Sequence, residues 1–267
     1  MRVQVLGTAA GGGLPQWNCA CPGCRSARAH PARRRRHASL AIEVEPGRVY
    51  LVNATPDVGE QIESCPWLRP VGRTSPLAGV ILTDAELDHT LGLARLREAD
   101  ELEVVATEPV RQAVGGTMAM LEPYVKLVWR TFADLGARAI PISGKRPRYA
   151  SGHLARPDGA WVSALELRGL LYAPCMARWP EGFGAAADVV FADGTFFTEQ
   201  EPLAFSARTA TEMGHLPIEA TRERLSALSA RCLYTHLNNT NPLADPASPW
   251  HAGLGVEVAY DGMVIDL

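Results

Sequence analysis

The chain has 267 residues, 47% of them hydrophobic and 21% charged, with a net charge of -3; that is enough apolar material for a substantial core and too little positive field for a general nucleic-acid binder. No apolar run approaches the roughly 18 residues of a membrane span, and the opening MRVQVLG lacks a signal-peptide core, so a cytoplasmic protein is expected. Six cysteines in such a chain argue against a disulfide framework.

RVQVLG alternates as a strand and leads into TAAGGGLPQWNCACPGC, a loop by its glycine and proline content. Its glycines match neither a phosphate loop nor a dinucleotide fingerprint, and no helix is expected to follow. The basic run Arg33–His37 reads as a solvated surface loop. ASLAIEVE and RVYLVNA form a hairpin through Pro46-Gly47, and TPDVGEQIESC begins a helix at Asp57 with Val58 and Ile62 inward.

LAGVILT is a strand, followed by an acidic cluster and a helix over TLGLARLREAD. LEVVAT is a strand and EPVRQAVGGTMAML is helical, whereas Pro141 to Pro157 reads as loop. WVSALEL, GLLYAP and ADVVFAD are strands, IEATRERLSALSA is an amphipathic helix, and RCLYTHL is a strand. VEVAYDGMVIDL closes the chain as a hairpin whose Asp261-Gly262 suits a two-residue turn. The mixture of hairpins and alternating elements predicts an α/β layered fold in one domain over residues 1–267.

Polar residues able to bind metal recur where strands end: Asp57 after YLVNA, then Asp84, Glu86, Asp88 and His89 after GVILT, Asp193 after DVVFA, and His236 after CLYT. Strand ends fixed by packing are where layered α/β folds collect their sites. Three carboxylates so close repel one another unless a cation or solvent relieves them, and an acidic helix start also gains from the helix dipole. A carboxylate with two imidazoles is the donor set of non-haem iron oxygenases, whereas zinc hydrolases are richer in nitrogen, so the ligand types lean toward iron.

Cys19, Cys21 and Cys24 have a spacing that lets three thiolates converge on one zinc ion, with the fourth ligand coming from elsewhere; a free-thiol loop is the alternative. Cys65, Cys175 and Cys232 read as small buried hydrophobes, and neither of the latter two has a histidine partner evident in the sequence. His215, in EMGHLP, suits a proton donor or substrate contact as well as a plain loop residue, and His153 reads as a surface loop residue. His30, His37 and His251 read as surface residues outside the site.

In order, GTAAGGGLPQWNCACPGC, NATPD, LTDAELDHTLGL, FADGTFF, MGHLP, THLNNTNP and VAYDGM resemble the PQQ biosynthesis protein B family, a branch of the metallo-β-lactamase fold. The resemblance runs from the first strand to the last hairpin. It implies a four-layer αβ/βα sandwich in which the H-x-H-x-D-H signature of the fold falls on Asp84, Glu86, Asp88 and His89, with two histidines replaced by carboxylates. By the same resemblance, Asp57 corresponds to the early aspartate of the fold, Asp193 to its bridging aspartate, His236 to its last histidine ligand and His215 to an extra loop histidine.

The resemblance implies one Fe(II) on Asp88, His89 and His236, with Asp193 and His215 as catalytic groups and Asp57, Asp84 and Glu86 behind the ligands. A structural Zn would sit on Cys19, Cys21 and Cys24, and the position of the fourth ligand in related phosphodiesterases is taken by Asn239. The implied activity is hydroxylation of a tyrosine-derived small molecule or dipeptide with O2 during PQQ biosynthesis, with no membrane or nucleic-acid partner and a homodimer left open. Two other readings stand beside it: a zinc phosphodiesterase or nuclease-type hydrolase, and a carrier of PQQ or its precursor. The chain departs from the family pattern between about Lys145 and Pro180, where substrate contacts are expected.

Overall fold

The computed structural model describes residues 1–150 and 159–267, so the reading of His153 lies outside the described residues. One sheet is built from β1 (Arg2–Gly7), β2 (Ser39–Glu45), β3 (Arg48–Val52), β4 (Leu77–Ile81), β5 (Glu101–Val105) and β6 (Lys126–Arg130). The other holds β7 (Arg138–Ser143), β8 (Val162–Leu167), β9 (Leu170–Ala173), β10 (Val189–Asp193), β11 (Arg231–Thr235) and β12 (Glu257–Val258), after which β13 (Val264–Asp266) returns to the first. The strand orders are β13-β1-β2-β3-β4-β5-β6 and β12-β11-β10-β9-β8-β7.

Apolar residues at alternate strand positions meet between the sheets, among them Ile42, Tyr50 and Ile81 from one and Leu165, Tyr172 and Phe191 from the other. Each fully buried side chain of this kind contributes about 1.5–3 kcal/mol. The helices α1 (Pro22–Ala29), α2 (Val58–Ser64), α3 (Leu87–Thr90), α4 (Glu108–Ala113), α5 (Gly115–Leu121) and α6 (Ile218–Ser226) cover the outer faces. Val58, Val110 and Met118 pack on the first sheet, and Ala27, Ile218 and Leu225 on the second. This makes the four-layer α/β sandwich. Among the described residues no helix is long and apolar enough to cross a membrane.

Several local expectations are corrected. A helix does follow the cysteine loop, because Cys21 caps α1 through its Sγ, which accepts from the Cys24 N–H, and proline stands at the helix start. The expected loop from Pro141 begins as strand β7, and the edge position of that strand tolerates a residue without an N–H. The predicted helix after the acidic cluster is one α-turn followed by a 3-10 segment, Leu91–Leu96. There Gly92 donates to the Ala54 carbonyl, and a β-carbon on it would lie 2.0 Å from the Thr55 carbonyl oxygen, so this turn is pressed against the end of β3.

The predicted final hairpin is not one: β12 pairs with β11 in parallel, whereas β13 pairs with β1 antiparallel. Asp261 spends its carboxylate on the Thr8 hydroxyl and the Arg36 N–H, which holds the crossing between the sheets. Nor is Arg33–His37 a solvated loop. Arg35 is buried and donates to the Ala244 and Ala259 carbonyls and the Thr8 hydroxyl. Those carbonyls need a long donor to reach them, and arginine supplies it.

Candidate active site and metal centre

β3 and β4 run parallel in one sheet and β9, β10 and β11 run parallel in the other. Their C-terminal ends deliver Asp57, Asp84, Cys175, Asp193 and His236 to one region between the sheets. A cavity of about 700 Å3 opens there, lined among others by Asp88, Cys175, His215 and His236.

His89 is wholly buried in the last turn of the short α3. Its Nδ1 lies 2.7 Å from Asp84 Oδ2, an oxygen that also accepts from the Thr83 hydroxyl at 2.8 Å. That contact leaves Nε2 as the ring nitrogen turned to the site, and this atom is buried without a hydrogen-bond partner. Asp88 Oδ2 stands 3.6 Å from it and 3.5 Å from His236 Nε2. Burial alone would depress the His89 imidazole, but the charges of Asp84 and Asp88 outweigh it and push it up to about 9. Burial likewise works against ionised Asp88, yet the charge of His89 and the contact with His236 hold its carboxyl well below the usual range.

His236 follows β11 with φ +58°, a left-handed conformation costly for a residue with a side chain, and its ring is buried. Its Nδ1 lies 2.8 Å from the Thr195 hydroxyl, which in turn stands 2.6 Å from Asp193 Oδ1. Asp193 is fully buried, and its second oxygen accepts from the Met176 N–H at 2.7 Å and contacts His215 Nδ1 at 2.8 Å. Asp193 holds His215 and Thr195 in place through its two oxygens, and donor atoms of Asp193, His215 and His236 also lie within 4.8 Å of one another, a second group able to hold a metal ion. The His215 and His236 rings stack with centroids 5.9 Å apart.

The remaining expected residues divide. Glu86 occupies the residue before α3 and lines the cavity, where burial raises its carboxyl and Lys145 at 4.0 Å partly offsets the rise. Asp57 accepts from both the backbone N–H and Nδ1 of His37, at 2.9 and 2.7 Å. His37 is therefore a partner of Asp57 and not the surface residue expected, whereas His30 is exposed and His251 contacts the Asp245 carbonyl. Gly11 lies over the site: a β-carbon there would come within 3.3 Å of Asp88 Oδ2, so the glycine-rich loop serves close approach to this aspartate.

Thr195 and Cys175 were missed by sequence reasoning. A threonine two residues past a strand-end aspartate carries no motif of its own. The sequence reads Cys175 as a small buried hydrophobe, but its Sγ is 3.6 Å from His236 Nε2, and the donor atoms of His89, Cys175 and His236 lie within 4.8 Å of one another. The cavity lining also includes Lys145, Arg146, Arg148 and Arg208, the first three from the segment that departs from the family pattern.

On the opposite side of the β11 end, the thiols of Cys19, Cys21 and Cys24 converge within 4.8 Å. Asn239 sits over them, its Nδ2 3.2 Å from Cys24 Sγ and 3.6 Å from Cys21 Sγ. Burial pushes the Cys21 thiol up to about 11, whereas the Cys21 N–H lowers that of Cys19. Three thiols held together in this way suit a soft cation such as zinc.

Paired mixed sheets with carboxylate and imidazole donors along their shared edge define a metal-dependent protein of the metallo-β-lactamase fold. The Beta-lactamase superfamily domain matches residues 48–236. The chain belongs to the coenzyme PQQ synthesis protein B family: it is 37% identical to that protein of Azoarcus sp. (strain BH72), with all of both chains covered. The crystal structure of Zn(2+)-bound PqqB from Methylobacterium extorquens is 31% identical, with a TM-score of 0.87 over all of both chains. A diphosphatase of the PhnP family, 18% identical with a TM-score of 0.73 over all of this chain and 97% of that one, shares the fold.

Proposed function

We propose that this protein acts in PQQ biosynthesis as an iron-dependent hydroxylase of a tyrosine-derived precursor. The observation that carries the reading is the convergence of Asp88, His89 and His236, with the buried Nε2 of His89 left without a partner. Donors 3.5 and 3.6 Å apart have the spacing that groups about 2.1 Å from one ion adopt. These residues would hold Fe(II), and the metal's contribution when bound is the activation of O2.

The other residues then have definable tasks. Asp84 fixes the tautomer of His89, and Thr195 does the same for His236. With Nδ1 of His215 engaged by Asp193, Nε2 remains to take or return the proton of a phenol in the cavity. The cations of the cavity lining, Arg208 and Lys145 among them, suit the carboxylates of an amino acid or dipeptide. The name borne by the relatives, coenzyme PQQ synthesis protein B, agrees with this pathway.

A zinc phosphodiesterase is supported by the wider fold but needs both metal positions of a two-metal clamp. Here Asp84, at the first position of the signature, is spent on His89 and Thr83. Protein purified without oxygen and incubated with tyrosine or tyrosine-containing dipeptides and O2 should yield product heavier by one oxygen atom. Asp88→Ala and His236→Ala should lose the iron and the turnover while keeping metal on the cysteine loop. Two zinc ions at the active site with phosphodiester cleavage would support the hydrolase instead, and stoichiometric quinone binding without turnover would support a carrier.

A further inference from the structure

We infer that Cys175 is a ligand of the active-site metal, completing a set with Asp88, His89 and His236; the inference rests on the reading of that site as a metal centre. β9 ends at Ala173, and the next residues carry Cys175 into the cavity on the side of the second sheet. Its Sγ is 3.6 Å from His236 Nε2, beside the 3.5 Å from that nitrogen to Asp88 Oδ2 and the 3.6 Å from Asp88 Oδ2 to His89 Nε2. Nitrogen, oxygen and sulfur donors lying about 2.0–2.3 Å from a shared ion stand roughly 3.3–3.8 Å from one another. The three measured separations all fall in that interval.

A second observation is independent of the sulfur. His89 Nε2 is buried with no hydrogen-bond partner, an arrangement that is costly unless something in the site satisfies it. The thiol and both imidazoles converge within 4.8 Å, and a cation there answers the thiol and the unpartnered nitrogen together. On binding, the sulfur–metal bond forms, the S–H bond breaks and its proton passes to water, with no change of oxidation state.

The added thiolate changes what the site selects. Thiolate and imidazole together favour zinc or iron(II) over magnesium or calcium, and two anionic donors match the charge of a divalent ion. Four protein ligands close a tetrahedral zinc site, whereas a metal accepting six ligands keeps room for small molecules.

The test is a cobalt(II) titration of the metal-free whole protein, followed in the near ultraviolet, where sulfur-to-cobalt charge transfer absorbs. Asp88→Ala reports the cysteine loop alone. In the unaltered protein, the equivalent bound beyond that of the loop should add charge-transfer absorbance. In Cys175→Ser the same equivalent should bind at least about tenfold more weakly and add none. Equal spectra at two bound equivalents would overturn the ligand and leave the metal site standing; uptake of only one equivalent by the unaltered protein would overturn both. Alkylation of Cys175 in the unaltered protein, read by peptide mass, guards against a misfolded variant: the metal should slow it about tenfold, and an unchanged rate overturns the inference.

Discussion

Nδ1 of His236 lies 2.8 Å from the hydroxyl of Thr195, and this contact decides which nitrogen of the imidazole faces Asp88. The same hydroxyl donates to Asp193, so it accepts from His236 and the histidine presents a bare Nε2. Thr195→Val should therefore weaken the active-site metal about 10- to 100-fold while leaving the cysteine-loop metal unchanged. Chelator competition measures both, and Thr195→Ser should restore most of the loss.

Asp193 sets a pH dependence of stability. Burial opposes its ionisation, but the His215 contact and the Thr195 donors hold its carboxyl below the usual 3.8. A lowered folded-state value stabilises the fold above the unfolded pKa, and this stability is lost as pH falls through the folded value. Asp193→Asn should cost roughly 3 kcal/mol at neutral pH, with the gap to the unaltered protein closing below about pH 4 in denaturant titrations. A gap independent of pH would contradict the assignment.

Arg208 and Lys145 line the cavity, where a substrate carboxylate would meet them. Arg208→Ala should raise KM about tenfold for a carboxylate-bearing substrate with kcat nearly unchanged, because a binding contact distant from the reacting atoms acts alike on ground and transition states. An analogue lacking the carboxylate should bind both proteins equally.

Asn239 occupies the place over the three thiols but offers them only an amide. Asn239→His supplies a nitrogen ligand at that place and should slow loss of zinc from the loop to a chelator by at least about tenfold. An unchanged rate would show that this position does not face the ion.

Much of the fold was legible because its signals are local. Apolar runs such as Ser39–Glu45 and Arg48–Val52, joined by the Pro46-Gly47 turn, have a short-range way to pair, and they form the expected hairpin. Asp84, Asp88 and His89 could be read together because six residues contain them all. The contacts that turn them into a site were not local. Thr195 touches His236 across 41 residues and Cys175 touches it across 61, and neither position has a pattern marking it in advance.

By itself the sequence determined which residues can bind metal and where strands end, since donor chemistry and hydrophobic period belong to each residue and its near neighbours. The partition of the last two strands between sheets, the burial of Arg35 and the spending of Asp193 on His215 were decided by the tertiary structure. The physical reason is the cost of leaving a buried polar group unpaired: each such group takes the partner that packing brings within reach, and only the assembled sandwich defines that partner.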